Sequence, residues 1–105
     1  MAFAPQPSSW ISSWAEDGTT VSFLLADLSQ ELTAVEADAA TGDWRDCFYS
    51  ILDHSYQYMA GLAAADKPAQ MSIDRIVQKH SDTVLKITYT VEIYASIEST
   101  NVAAE

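Results

Sequence analysis

A chain of 105 residues, 49% apolar and with a single cysteine, can form one modest core and no internal disulfide. Its 15 acids against 5 bases give a formal net charge of -10, the wrong sign for neutralising phosphate, so nucleic acid and anionic membrane are excluded as expected direct partners. No apolar run approaches the roughly 18 residues of a membrane span, and no cationic start precedes an apolar stretch, so a soluble chain not exported by a signal peptide is expected.

The charge is uneven. Residues 1–44 hold seven acids (Glu16, Asp17, Asp27, Glu31, Glu36, Asp38, Asp43) and no Lys or Arg. A solvated acidic surface explains this, and attraction to a basic partner protein is the sharper alternative.

Residues 1–18, MAFAPQPSSWISSWAEDG, read as an extended arm. Pro5 and Pro7 lack amide donors, the serines favour turns, and no helix or strand period is sustained. Phe3, Trp10, Ile11 and Trp14 are large apolar groups with little use in a free tail, so the arm is expected to be held, across its own domain or against a neighbouring subunit.

Thr19 to Leu25 then alternates as a short strand, with Val21, Phe23 and Leu25 on one face; the rival reading is a helix through Leu24, Leu25, Leu28, Leu32 and Val35. Thr33 followed by Glu36 has the spacing of a capping box and predicts a short helix over residues 34–39. Asp43 is placed to cap one long helix from Trp44 to about Ala65. Trp44, Phe48, Ile51, Ser55, Met59 and Leu62 recur there at steps of three and four, a stripe expected to face a sheet. Asp46 in the first turn suits the helix dipole, and Lys67 with Pro68 ends the run.

Gln70 to Gln78 predicts a strand, with Met71, Ile73 and Val77 on one side. Residues 79–82 turn the chain into a longer one, Leu85 to Ile97, in which every odd-numbered residue is apolar, as a half-buried strand requires. Thirteen residues at roughly 3.3 Å each would run to about 43 Å, so this strand is expected to bend or to pair beyond its own domain. Tyr94 lies on its polar face, where an exposed aromatic could meet a partner. Residues 99–105 read as an unpatterned tail.

Assembled, residues 19–98 predict one α+β domain with β-α-β-β order: an antiparallel sheet of about three strands packed on one long helix, preceded by the extended arm.

Searches for chemistry find little. The glycines, Gly18, Gly42 and Gly61, build no phosphate loop, and no GxSxG, HExxH or CxxC occurs. Cys47 and His54 share a helix side but sit seven residues apart, about 10.5 Å along the axis and beyond dyad reach, so a structural thiol is the expected role of Cys47. His54 and His80 lack metal-ligand spacing, and no EF-hand spacing links the aspartates. No catalytic, metal or cofactor site is expected. The five tyrosines read as core rim.

The block from Leu32 to Arg75, with LTAVEAD, TGDWRD, AAADKP and MSIDR, followed by TYTVEI, resembles small acidic structural proteins of tailed bacteriophages. The likeness covers about two thirds of the chain and points to no single member. It implies a virion component such as a capsid cement or tail protein, a homo-oligomer or part of a larger capsid or tail assembly. The combined expectation is a non-enzymatic assembly protein of the virion that meets other subunits through Phe3, Trp10, Ile11, Trp14 and Tyr94. Removal of residues 1–15 would then abolish assembly and spare the fold. The alternative is a cytoplasmic acidic binding module, an inhibitor or adaptor docking on a basic protein.

Overall fold

The computed structural model describes residues 5–98 and 101–103. The fold is α+β, with elements in the order α1 (Pro7–Trp10), β1 (Ala15–Glu16), β2 (Val21–Ser22), α2 (Trp44–Gly61), β3 (Met71–Lys79) and β4 (Leu85–Ile93). Single 3-10 turns lie at Leu25–Asp27 and Ala64–Asp66. The described strands form two separate antiparallel pairs, β1 with β2 and β3 with β4, so the three-stranded sheet expected from alternation is corrected to two two-stranded ones. The chain divides into two compact units at Gly61 and Leu62, not at residues 18 and 19.

In the first unit, Pro5–Gly61, the expected extended arm is a turn of helix. Pro7 opens α1, where a missing amide costs nothing, and the Ile11 amide closes it on the Pro7 carbonyl at 2.9 Å. Asp17 then organises the β1–β2 turn: its carboxylate accepts from the amides of Thr19 (2.9 Å) and Thr20 (2.7 Å) and from the Thr20 hydroxyl (2.8 Å). Gly18 in this turn has φ 95°, in the region that glycine enters without steric cost. The predicted Thr19–Leu25 strand is thereby shortened to Val21–Ser22, because its partner β1 is only two residues long.

The core of this unit is Ile11, Leu28 and Leu32, with Trp10, Trp14, Phe23, Leu25, Ala37, Cys47 and Ile51 packed around it. Most of it comes from segments without regular structure. Ile11 is 0% exposed.

The Thr33–Glu36 capping box forms as its spacing predicts. The Thr33 amide donates to Glu36 Oε1 at 2.9 Å and the Glu36 amide to Thr33 Oγ1 at 3.2 Å. It closes a turn and not the expected helix over residues 34–39, because the chain doubles back at once. The Gly42 amide donates to the Asp38 carbonyl at 3.0 Å, and the Asp43 amide to the Glu36 carbonyl at 2.8 Å. A Cβ on Gly42 would stand 2.2 Å from that carbonyl oxygen, so the crossing demands glycine. Asp43 then caps α2, accepting from the Arg45 amide at 2.9 Å and holding its guanidinium at 2.8 and 3.1 Å.

The α2 face that packs differs from the one its apolar spacing predicts. The buried residues are Ser50, Asp53, His54 and Met59, whereas Trp44 and Phe48 are 73% and 54% exposed. Leaving Met59 aside, the fully buried side is rotated by roughly 140° from that stripe, toward polar residues. Burial is tolerated there because, among the described residues, no buried side-chain nitrogen or oxygen lacks a hydrogen-bond partner.

In the second unit, described from Leu62, β3 and β4 form a hairpin of nine rungs from Met71↔Ile93 to Lys79↔Leu85. Both His80 and Ser81 donate their amides to the Val84 carbonyl to close it. The overlong strand ends at Ile93. Beyond it Ala95 bridges Val102, so the chain folds back on its own extension and the tail is patterned there.

Two expectations follow. Gly42→Ala should destabilise the chain by about 1–3 kcal/mol, the cost of forcing a group into packed backbone, while Gly61→Ala, which meets nothing within 4 Å, should be neutral or gain up to about 1 kcal/mol; urea unfolding of both checks this. The second concerns acid. The carboxyls of Asp17, Glu36, Asp38 and Asp43 are held below their ordinary values: by the Thr20, Thr33 and Ala40 amides for the first three, and for Asp43 by the Arg45 side chain. Asp46 is pushed up, first by its hydrogen bond to Glu36. Four groups therefore bind fewer protons folded than unfolded and one binds more. Stability should be full above the ordinary carboxyl values of 3.8 and 4.5 and fall as the pH drops through them. A thermal midpoint as high near pH 3 as near pH 6 would contradict this.

Candidate functional site

Two places in the molecule carry more than packing: a polar fastening around His54 and the apolar face of the β3–β4 hairpin.

His54 is buried on α2 and reaches two other segments. The Ser29 amide lies 2.9 Å from Nδ1, and the Trp10 carbonyl lies 2.5 Å from Nε2. An amide can only donate and a carbonyl can only accept, so Nδ1 is the bare nitrogen and Nε2 carries the proton. Trp10 is also held by the next residue of α2. Its indole N–H donates to Ser55 Oγ at 3.1 Å, and that hydroxyl donates to the Ile51 carbonyl at 2.7 Å. The Trp10 ring lies 5.6 Å from Trp14, which stacks on Phe23 at 6.1 Å.

These contacts decide where most of the expected partner residues lie. Ile11 is wholly buried and Trp10 and Trp14 half-buried within their own unit, so the expectation that they meet a neighbouring subunit is corrected for Ile11 and loses its basis for the two tryptophans. The reason is physical: the segment supplies core that the short helical and strand elements cannot. Its removal would take out that core, not an appendage. Phe3 lies outside the described residues. Tyr94 is 58% exposed, just past the end of β4, and is available to a partner.

The candidates for chemistry are likewise engaged. The half-buried Cys47 thiol donates to the Glu36 carbonyl at 3.4 Å. Sequence reasoning missed Ser29, whose Oγ lies 3.0 Å from His54 Nδ1, the distance of a nucleophile and its base. The one lone pair of Nδ1 already receives the Ser29 amide, so the hydroxyl competes for an acceptor in use, and the geometry is that of a fastening. Nothing in the spacing of Ser29 and His54, 25 residues apart, announces the contact. Among the described residues no group of three or more His, Cys, Asp or Glu side chains converges as a metal site. None of their helices is long and apolar enough to cross a membrane.

The hairpin is built otherwise. Alternation places Met71, Ile73, Val77, Leu85, Ile87, Tyr89, Val91 and Ile93 on one face, with Arg75 and Lys79 among them. None of the strand residues is buried, and Val77, Leu85, Val91 and Ile93 are exposed, Leu85 by 62%. Met71, Ile73, Ile87 and Tyr89 are half-buried. The face was legible as a strict period of two; that half of its apolar residues stay exposed was not. Comparison with family models, curated proteins and solved structures returned no match for this chain.

Replacing His54 by Phe removes both the donor and the acceptor and should cost about 2–4 kcal/mol, whereas Gln, which keeps one of each, should recover part of the loss. Urea denaturation followed by tryptophan emission measures this; equal stability of H54F and the parent would show that the fastening is incidental.

Proposed function

We propose that this chain is a non-enzymatic assembly protein that acts through subunit contacts, and that its contact surface is the apolar face of the β3–β4 hairpin. One observation carries the reading: nine rungs of antiparallel ladder place eight apolar side chains on one face, of which Val77, Leu85, Val91 and Ile93 are exposed and the other four only half-buried. A two-stranded ribbon is at best marginally stable in water, and an open apolar face of this kind marks an interaction site. Free strand edges add a row of backbone donors and acceptors that a neighbouring chain can take up.

The resemblance of residues 32–75 and 88–93 to structural proteins of tailed phages makes a virion component, a capsid cement or tail protein, the favoured setting. A second reading has its own support. Residues 5–61 carry nine acids and one base, Arg45, and expose Trp44 and Phe48, whose rings lie 5.4 Å apart at a tilt of 32°, beside Asp43 and Asp46. That surface suits an acidic module docking on a basic protein, and such binding would weaken steeply with added salt while contacts between apolar faces would not.

Gradient fractionation of its native source should place the chain in assemblies many times its 11.5 kDa mass, in multiple copies, with no loss on raising salt. Recovery only as free monomer would overturn the reading.

A further inference from the structure

Within that assembly role, on which this step rests, we infer that the outer edge of β4 pairs antiparallel with the same edge of a second copy, joining two hairpins into one four-stranded sheet. Backbone geometry opens the edge. The Tyr94 amide donates to the Gln70 carbonyl and the His80 amide to the Val84 carbonyl, so even-numbered residues exchange the ladder bonds inside the hairpin and odd-numbered ones turn their amides and carbonyls outward. On β4 those of Leu85, Ile87, Val91 and Ile93 are left without a strand partner. Seven of the nine β4 residues are exposed against five of nine on β3, which makes β4 the more open edge.

The residue order selects the partner. Outward from Tyr89 in LKITYTVEI, Thr88 matches Thr90, Ile87 matches Val91, Lys86 matches Glu92 and Leu85 matches Ile93, so the strand is complementary to its own reverse. A two-fold axis at Tyr89, perpendicular to the sheet, sets Leu85 beside Ile93 and Ile87 beside Val91, each pair formed twice, and these carry the ladder. The same axis sets Lys86 of each copy against Glu92 of the other. Within one hairpin these two ions face the uncharged Gln78 and Ser72, and they stand roughly 20 Å apart along β4, out of each other's reach. Other arrangements lose the match. Sliding the copies by two residues puts Glu92 on Thr88 or on Val84, and the same operation about the middle rung of β3 sets Arg75 against Arg75. In the β4 pairing the Arg75 residues ride on the two outermost strands, about 14 Å apart.

Two strands are marginal in water; four sharing one apolar face are not. An edge contact of about 30 Å covers well under the roughly 1,200 Å² of a standard interface, so the dimer is reversible, with micromolar or weaker affinity. Contacts of that strength suit an assembly in which many of them add.

Sedimentation equilibrium of the full chain from about 5 to about 500 µM tests this, with circular dichroism to confirm that each variant folds. Lys86→Glu and Glu92→Lys should each weaken the parent's dimer at least tenfold, because each sets like charges face to face twice, and K86E with E92K in one chain should restore it. Net charge cannot imitate that pattern: it becomes more negative in K86E and less negative in E92K, so general repulsion would move the two in opposite directions. Val91→Pro removes an outward amide that the hairpin ladder does not use and should also abolish pairing. A dimer indifferent to K86E, E92K and V91P but lost in Val77→Lys, on the apolar face, would overturn the edge contact and leave the assembly reading in place. A parent monomeric throughout would overturn it too, whereas the assembly reading falls only if the chain is also recovered from its source as free monomer.

Discussion

The first unit depends on a neutral imidazole. His54 lies where three stretches that share no ladder or helix must be held together, the turn at Trp10, the segment at Ser29 and α2 itself, and its two ring nitrogens bond the first two while the backbone supplies the third. Hydrophobic contact alone would allow these stretches to slide, since burial of apolar area is nearly indifferent to direction. The directional bonds fix the register in which Ile11 meets Leu28 and Leu32. Ser55, the neighbouring residue of α2, adds a bond by accepting from the Trp10 indole, while Cys47 and Ile51 of the same helix pack on the apolar core.

The crossing at Gly42 plays the matching part at the start of α2. The Glu36 carbonyl receives both the Asp43 amide and the Cys47 thiol, and the loop can come that close only because Gly42 has no side chain. Capping box, Asx turns and helix cap use the same acids that give the chain its charge. Asp17, Glu36, Asp38 and Asp43 each take local amide or guanidinium donors. Much of the acidity in the first half of the chain is therefore committed to turns, which weakens the case that it exists for a basic partner.

The hairpin follows the opposite economy. Its backbone is satisfied along nine rungs, yet half of its apolar face, Val77, Leu85, Val91 and Ile93, stays exposed in the described structure. Such a surface is costly to keep in water unless something comes to cover it. This contrast, a small unit held by polar fastenings and a ribbon with apolar area in reserve, is the physical basis for reading the protein as a part made to be joined.

Sequence alone determined the features that are local. The alternation of Leu85 to Ile93, the turn after Lys79, the Thr33–Glu36 box and the Asp43 cap all formed, because each is decided by residues within a few positions of one another. Tertiary structure decided the rest. It turned α2 so that Ser50, Asp53 and His54 face inward in place of Trp44 and Phe48, drew Trp10 and Ile11 into their own unit, and cut the first strand to two residues. A buried polar stripe carries no mark in a sequence; its acceptability rests on partners such as Ser29 and Trp10, 25 and 44 residues away, which only the folded chain brings within hydrogen-bond distance.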